Sequence, residues 1–527
     1  MNSVTACSRF WKERLLTMNE EQRGIYRWAL HLCLSQVYDV HVLTHSCSLL
    51  FVTVSSKVVA GGLHFIDAPG GTGKTYLLTC LIAKWRSQGK IVLCVAPSGL
   101  AATLMEDGRT VHGRFRVPIE NLNPESVCNV SAQSNLGKLI KRADAIIIDE
   151  APNLDVWVFD AVSRTCMDLR EDLKPFGGLS VILSGDWRQC MPVVPRTGRK
   201  VVRRSLRYSE HWHLFRQHQM RTNMRVKRYQ DLGDDDQAQR IDDFAKWLLQ
   251  VGEKKLPVVK GKWGVQVRSD LCAETSVSGL LAWVYKGLSE KVGTDAWPGW
   301  VSERCVLAPK NIDVTAFNDS MVDALPGEDI VLRSSDRVTE ERYSSKVGEE
   351  FLNQRSPPGR AVHNLRVKEQ CPLILLINLD LLSGACNASR MVLKAVHYYG
   401  TDPPRVLECM LTTGAKAGET LFIPRIPVKM EDDTFPWPWE RRQFPVRPAF
   451  AMTVNKAQGQ TLKCCGIALP TPCFQHGQLY VALSRVGNPD HLRVAMVGDD
   501  DHNTCKAERI TANVVYTEAF GDCQTHT

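Results

Sequence analysis

The 527-residue chain lacks several features that would assign it to common classes. Its 18 cysteines include no C-x-x-C pair, and Cys464-Cys465 is the one adjacent couple. That pattern suits neither a zinc site nor a disulfide framework, and it suggests free thiols in a reducing compartment. No signal peptide is read at the start of the chain. Apolar runs are short: Ser48 to Val54 (SLLFVTV) falls far below the roughly 20 residues of a membrane span, so no membrane association is expected. A strong charge excess is also missing, since the net charge of +8 only tilts the balance toward an anionic partner. The 44% hydrophobic and 23% charged fractions are those of a folded globular chain, and the length exceeds what one core supports.

What is present begins at Leu63 to Leu81, LHFIDAPGGTGKTYLLTCL, where an apolar run stops at a glycine-rich turn and resumes with helical spacing. Residues Ala68-Pro69-Gly70-Gly71-Thr72-Gly73-Lys74-Thr75 fit the phosphate-loop pattern G-x-x-x-x-G-K-[ST] except at Ala68, where the first glycine is expected. Such a loop needs Gly70, Gly71 and Gly73 because consecutive backbone N–H groups must turn inward, in conformations a Cβ would obstruct. The helix that starts near Lys74 aims its positive dipole end at the same phosphates. Lys74 is placed to reach the terminal ones, and the Thr75 hydroxyl suits Mg2+. Leu77, Leu78, Leu81, Ile82 and Trp85 fall on one face of that helix.

Further blocks follow in order. Gln22 sits in the first turn of an early helical pattern, and its amide can pair with both edges of adenine. Ile91 to Val95 reads as a buried strand. Ala145 to Ile148 is an apolar strand ending at Asp149 and Glu150, the pair that in phosphoryl transfer holds Mg2+ and orients the attacking water. Ser180 to Ser184 is another strand, followed by Gly185-Asp186-Trp187-Arg188-Gln189, so Gln189 lies where open α/β sheets bind ligands. No second G-K-[ST] occurs, so one nucleotide must serve any later domain. Strand and helix alternation returns near Cys305 to Pro309, and short β-like runs punctuated by Pro and Gly fill about 346 to 445. Arg485 ends an apolar run and has the reach to neutralise a transferred phosphate. Arg196 to Arg207 forms a basic run that reads equally well as a solvated face or a nucleic-acid track.

These blocks together resemble the superfamily-one DNA helicases of the PIF type (petite integration frequency), most closely the helicase region of Helitron transposons. The resemblance spans roughly Met18 to Val494 and is carried by APGGTGKT (68–75), GRTVHGRF (108–115), IIIDEAP (146–152), GDWRQCMPVVP (185–195), TNMR (222–225), LAPKNIDVTAFND (307–319), FPVRPAFAMTVNKAQGQT (444–461) and HGQLYVALSRV (476–486). Asn153 stands where the family usually has methionine, and 38–59 has no counterpart, which marks it as a candidate gene-model artefact.

The resemblance implies an α/β fold of two RecA-like P-loop NTPase domains, parallel sheets with helices on both faces, with a small β-barrel inserted in the second. The expected divisions are 1–215 for the first domain, with a small insertion at about 113–137; 216–345 and 446–527 for the second; and 346–445 for the β-rich insertion. It implies an ATP-dependent helicase that moves 5′ to 3′ on single-stranded DNA and unwinds tailed duplexes, with ATP and Mg2+ as cofactors. The rival reading is a transposon-derived single-stranded DNA-binding protein without unwinding activity.

Carried over residue by residue, Gln22 would read adenine, and Ala68 through Thr75 would cradle the phosphates. Thr75 and Asp149 would hold Mg2+, and Glu150 would act on the water. Gln189, Arg225, Gln458 and Arg485 would sense or clamp the γ-phosphate. Ser98, Thr110, His112, Thr453 and Lys456 would touch DNA backbone, where contacts position a strand without reading its sequence. A monomer is expected, located in the nucleus or, as the second choice, the mitochondrion.

Overall fold

The computed structural model describes residues 62–520 apart from short stretches (120, 193, 195–197, 258–263, 341–346, 358, 399, 401–402, 431–434 and 499–504), together with residues 10, 14 and 17–26. The apolar run Ser48 to Val54 and the 38–59 stretch lie outside the described residues.

The first sheet has six parallel strands: β1 (Leu63–Asp67), β2 (Val92–Ala96), β3 (Arg109–Thr110), β4 (Ala145–Ile148), β5 (Ser180–Gly185) and β6 (Arg216–Gln219), in the order β3-β2-β4-β5-β1-β6. Strands β2 and β4 are buried along their whole length, as expected of parallel strands covered on both faces. One apolar layer holds Phe65, Ile146, Ile148, Val158, Phe159 and Phe176, and the other holds Ile66, Leu77, Leu81, Trp85 and Ile147. The five apolar residues expected on one face of the loop helix are all buried there, Lys74–Ser87 being the helix. Each large apolar side chain so buried stabilises the fold by about 1.5–3 kcal/mol.

β6 lies beyond the expected boundary at 215. Its sequence, Arg216-Gln217-His218-Gln219, is polar because it is an edge strand that pairs only with β1, so it gives no hydrophobic signal. The first unit therefore runs through 219. The expected insertion near 113–137 is an irregular stretch over 116–134, apart from the undescribed residue 120, tied down where the Cys128 N–H donates to Thr165 Oγ1 at 2.9 Å.

The second parallel sheet has four strands in the order Ala451–Thr453, Arg304–Ala308, Cys464–Leu469, Leu492–Met496. These are two RecA-like sheets with helices packed against them. Between the second sheet's first two strands in sequence, the chain forms antiparallel ladders: a five-stranded one (Val446–Pro448 at one edge, Thr420–Pro424 at the other), a three-stranded one and a two-stranded one. Among the described residues they form separate ladders, not one closed barrel. They also take in Ile330–Arg333, Ser335–Val338 and Val446–Pro448, so the β-rich part is wider than 346–445.

Two buried arginines hold this part together. Arg390 donates to the carbonyls of Val301, Ser302, Arg304 and Ala449, joining the five-stranded ladder to the second parallel sheet. Arg441 pairs with Asp336 at 2.6 Å, both side chains fully buried, and also donates to the carbonyls of Ala361 and Leu352. A buried pair of this kind is costly unless every hydrogen-bonding position is used, and removing one partner typically costs 3–5 kcal/mol. No helix among the described residues is long and apolar enough to cross a membrane.

Candidate nucleotide site and nucleic-acid groove

Strands β4, β5 and β1 are neighbours, so the turns at their C-terminal ends converge on one edge of the first sheet. The loop after β1 begins with the Ala68 N–H donating to Gly185 O at 2.8 Å, which anchors it to the end of β5. It turns where the Thr72 N–H and hydroxyl both reach Pro69 O, at 3.3 and 2.9 Å. Gly71 and Gly73 have φ of 90° and 84°, values that explain the glycines, and a Cβ on Gly73 would meet Gln22 Nε2 at 2.4 Å. Gly70 is exposed with open space where a Cβ would stand. Lys74 and Thr75 open the following helix.

Lys74 Nζ lies 2.7 Å from Asp149 Oδ1 and 2.5 Å from Glu150 Oε1. Burial pulls the lysine pKa down, but the two carboxylates outweigh it and the ammonium is held firmly protonated. Asp149 is buried, accepts from Ser184 Oγ at 2.7 Å and from the Glu150 N–H at 2.9 Å, and is thereby fixed in orientation. Glu150 has a left-handed backbone (φ 53°), and burial raises its pKa against the pull of Lys74. A carboxyl raised toward neutrality is a better proton acceptor at neutral pH than an ordinary one.

The donor set suits a hard cation bound mainly through phosphates. Thr75 and Asp149 carry oxygens that could hold such an ion, and Mg2+ sites are typically built from one or two protein oxygens plus phosphate and water. No group of three or more His, Cys, Asp or Glu side chains poised for a metal occurs among the described residues.

Across from the loop, Gln189 Oε1 accepts from Gln458 Nε2 at 3.0 Å, so two expected phosphate sensors meet between the first and second sheets. Arg225 arrives by a different route from the one expected. The Met224 N–H donates to Gly71 O at 2.9 Å, and the Arg225 side chain packs against Gly71 and Gly487. It stands beside the loop at the start of helix Met224–Asp231, and among the described residues its one hydrogen bond from the guanidinium is a long 3.5 Å to Val486 O. Burial and the neighbouring Arg485 both lower its pKa.

Arg485, from across the cleft, is buried and donates to Val481 O, Ala457 O, Gln460 O and Ser484 Oγ. Glu150 is close enough to favour its charge. A cavity of about 490 Å3 is lined by Pro69, Gly70, Thr72, Arg188, Arg225 and Tyr480 among others. Its size is within the range of small-molecule sites.

Gln22 is buried at the back of the loop and does not line that cavity. Its Nε2 donates to Thr72 O at 3.1 Å, its Oε1 accepts from the Asn19 N–H, and its own N–H bonds Asn19 Oδ1. In this arrangement the side chain braces the loop.

The expected DNA-contacting residues divide into two groups. Ser98 and Thr110 cap short helices, accepting from the Ala101 and Gly113 N–H groups at 3.2 and 3.1 Å. His112 follows Thr110, and burial lowers its pKa. Thr453 and Lys456 share a groove with Asn318, Arg366 and Arg447 on the second sheet, which Ser98, Thr110 and His112 do not line. The basic run near 200 divides: Arg204 pairs with Asp155 and lies 3.3 Å from the centre of the Trp157 ring, and Arg207 covers Trp187, while Arg199, Lys200 and Arg203 are exposed.

One cluster escaped the sequence reading. Arg188 bridges Asp186 at 2.9 Å, Asp67 at 3.4 Å and Glu253 at 2.6 Å, while the Tyr480 hydroxyl donates to Asp186 at 2.7 Å. Burial pushes the Asp67 carboxyl up to about 6 despite Arg188. This network joins the ends of β1 and β5 to elements packed on the second sheet. The only signal available was an arginine beside Gln189.

Residues 43–262 match the family model described as PIF1-like helicase. Rat ATP-dependent DNA helicase PIF1 is 25% identical over 453 residues, covering 84% of this chain and 60% of that protein. The human protein of that name is 26% identical over 454 residues, covering 84% and 59%. The chain thus spans about 60% of the length of these curated relatives. Among solved structures, Candida albicans Pif1 helicase aligns with a TM-score of 0.59 at 19% identity, covering 96% of this chain and 98% of that one. Bacteroides Pif1 bound to single-stranded DNA aligns with a TM-score of 0.59 at 19% identity, covering 88% and 92%. Pif1 helicase from Bacteroides in complex with ADP-AlF3 and single-stranded DNA aligns with a TM-score of 0.59 at 20% identity, covering 88% and 92%.

Proposed function

Because this chain is a relative of the PIF1-like helicases, we propose that it is an ATP-dependent DNA helicase, translocating 5′ to 3′ on single-stranded DNA and separating duplexes. The observation that carries this reading is the cleft itself. Phosphate loop, paired acids and Gln189 stand on one sheet, while Gln458 and Arg485 stand on the other, so hydrolysis is sensitive to how the two sheets meet.

In this reading the loop N–H groups and Lys74 bind the β- and γ-phosphates, with Lys74 leaving Asp149 and Glu150 as the anionic phosphates draw it away. Thr75 and Asp149 would hold Mg2+, which supplies charge neutralisation on the phosphates. Glu150 orients and deprotonates the attacking water. Arg225 and Gln189 face the charge that builds on the γ-phosphate, and Arg485 joins them when the second sheet closes. Gln22 would meet adenine only by exchanging its bond to Thr72 or Asn19. Thr453 and Lys456, with Ser98, Thr110 and His112, would hold the DNA backbone, an arrangement that serves translocation because it ignores base identity. The protein would act as a monomer, in the nucleus or mitochondrion.

A tailed-duplex assay tests this directly. Substrates with a 5′ single-stranded tail are expected to be unwound with ATP, and substrates with only a 3′ tail are expected to stay paired. Unwinding of the 3′-tailed substrate alone would overturn the assigned direction, and binding without unwinding of either would favour a DNA-binding protein that has lost its motor.

A further inference from the structure

The groove that holds Thr453 and Lys456 contains two further cations, Arg366 and Arg447, to which the sequence reading gave no role. It encloses about 160 Å3 at the junction of the second parallel sheet with the five-stranded ladder. Arg447 enters it from strand Val446–Pro448, where it pairs with Ile374, and Lys456 enters from the turn after Thr453. Both side chains are half-buried.

Among the described residues no carboxylate pairs with either Arg447 or Lys456. Among the described residues Lys456 Nζ has no hydrogen-bond or ion-pair partner, and Arg447 donates one bond, to Arg360 O, while its buried Nε has none. The groove's single carboxylate, Asp319, has Arg366 for its neighbouring cation. Arg441 adds positive charge behind Arg447 but is itself neutralised by Asp336. Burial, then Arg447, lowers the Lys456 ammonium to about 8. Two adjoining half-buried cations without a counter-charge are unfavourable unless an anion lies against them.

We propose that Arg447 and Lys456 together form a clamp for the phosphodiester backbone of single-stranded DNA, with Arg447 as a DNA contact in its own right. This rests on the helicase reading above. The cavity is smaller than the roughly 300–1,000 Å3 of small-molecule sites, which suits one backbone segment of a strand that continues out of the groove. Arginine's planar fork binds two phosphate oxygens together, and the Thr453 side chain supplies a polar group alongside, whereas the Asn318 amide is taken up by the Ala451 backbone.

The test is the salt dependence of binding, read by anisotropy of a labelled oligothymidine with the full chain at several potassium chloride concentrations. Each phosphate contact on a single strand contributes about 0.7 to the slope of log K against log salt. Arg447→Gln is expected to reduce the slope by about 0.7 and to weaken binding about 3–10-fold at low salt. Arg447→Lys should keep the slope, as should Lys463→Gln, which removes an exposed charge paired with Glu303 outside the groove.

A parent slope and affinity in Arg447→Gln would overturn the clamp. An independent arm uses pH, which needs no variant at Arg447. A bound phosphate raises the Lys456 pKa, so parent affinity should fall as pH rises through about 8, and Lys456→Arg should flatten that fall. A flat parent profile would overturn the proposal even if Arg447→Gln failed to fold. Inorganic phosphate shares this chemistry but should bind far more weakly than the oligomer; phosphate binding as tight as that of the oligomer would make the pair a free-anion site and sink the proposal. Absence of any parent binding to the oligomer would instead sink the helicase reading.

Discussion

Glu150→Gln is expected to lower ATP turnover by about 10²–10⁴-fold, the usual contribution of a positioned general base, with nucleotide affinity changed only a few-fold. The glutamine keeps the shape and the hydrogen-bonding reach of the glutamate but cannot accept a proton. Glu150 is suited to that role because burial raises its pKa, Asp149 stands beside it, and a left-handed backbone turns it off the end of β4. Steady-state hydrolysis together with equilibrium binding of a fluorescent ADP measures both quantities. Hydrolysis at the parent rate would remove Glu150 from the chemistry and favour a binding protein without a motor.

Arg225→Gln should lower the turnover number by about 10³–10⁵-fold if its guanidinium neutralises charge in the transition state, with much less effect on the KM for ATP. Two features single it out over Arg485. Arg225 packs against Gly71 of the phosphate loop, and its only guanidinium hydrogen bond among the described residues is the long one to Val486 O, so it can turn to a phosphate at little cost. Arg485 donates to four groups, including Ala457 O and Gln460 O on the turn that carries Gln458. Its replacement would disturb folding and function together. A loss in Arg225→Gln confined to KM would make the residue a ground-state binder and not a finger.

The contrast between these two arginines shows what was legible in the sequence. Phosphate loop and paired acids could be read because each is a local event: strand, turn and helix follow within a few residues, and glycine or carboxylate positions carry the chemistry. Four strands of the first sheet were legible for the same reason, through short apolar runs, whereas of the second sheet only the run near Cys305 was read and the rest came from the resemblance. What stayed hidden depends on distant partners. Strand β6 is polar because it lies at an edge, so the first unit seemed to stop before it, and Arg225 was assigned to the far side of the cleft. Arg188 and Glu253 lie 65 residues apart and are joined only by folding. Gln22 was correctly placed at a helix start, yet Asn19 and Thr72 occupy the amide expected to read adenine. The β-rich part was visible as texture, but its edges follow ladder pairing, which took in strands near 330 and 447 that hydrophobic pattern did not mark.

The central claim is that nucleotide hydrolysis at the loop depends on DNA held across the two sheets. The most direct measurement is the ATP hydrolysis rate of the full chain with and without saturating oligothymidine, set beside Lys74→Ala. Stimulation by the oligomer, abolished in Lys74→Ala, is the predicted result. Hydrolysis that is indifferent to DNA, or that survives in Lys74→Ala, would contradict it.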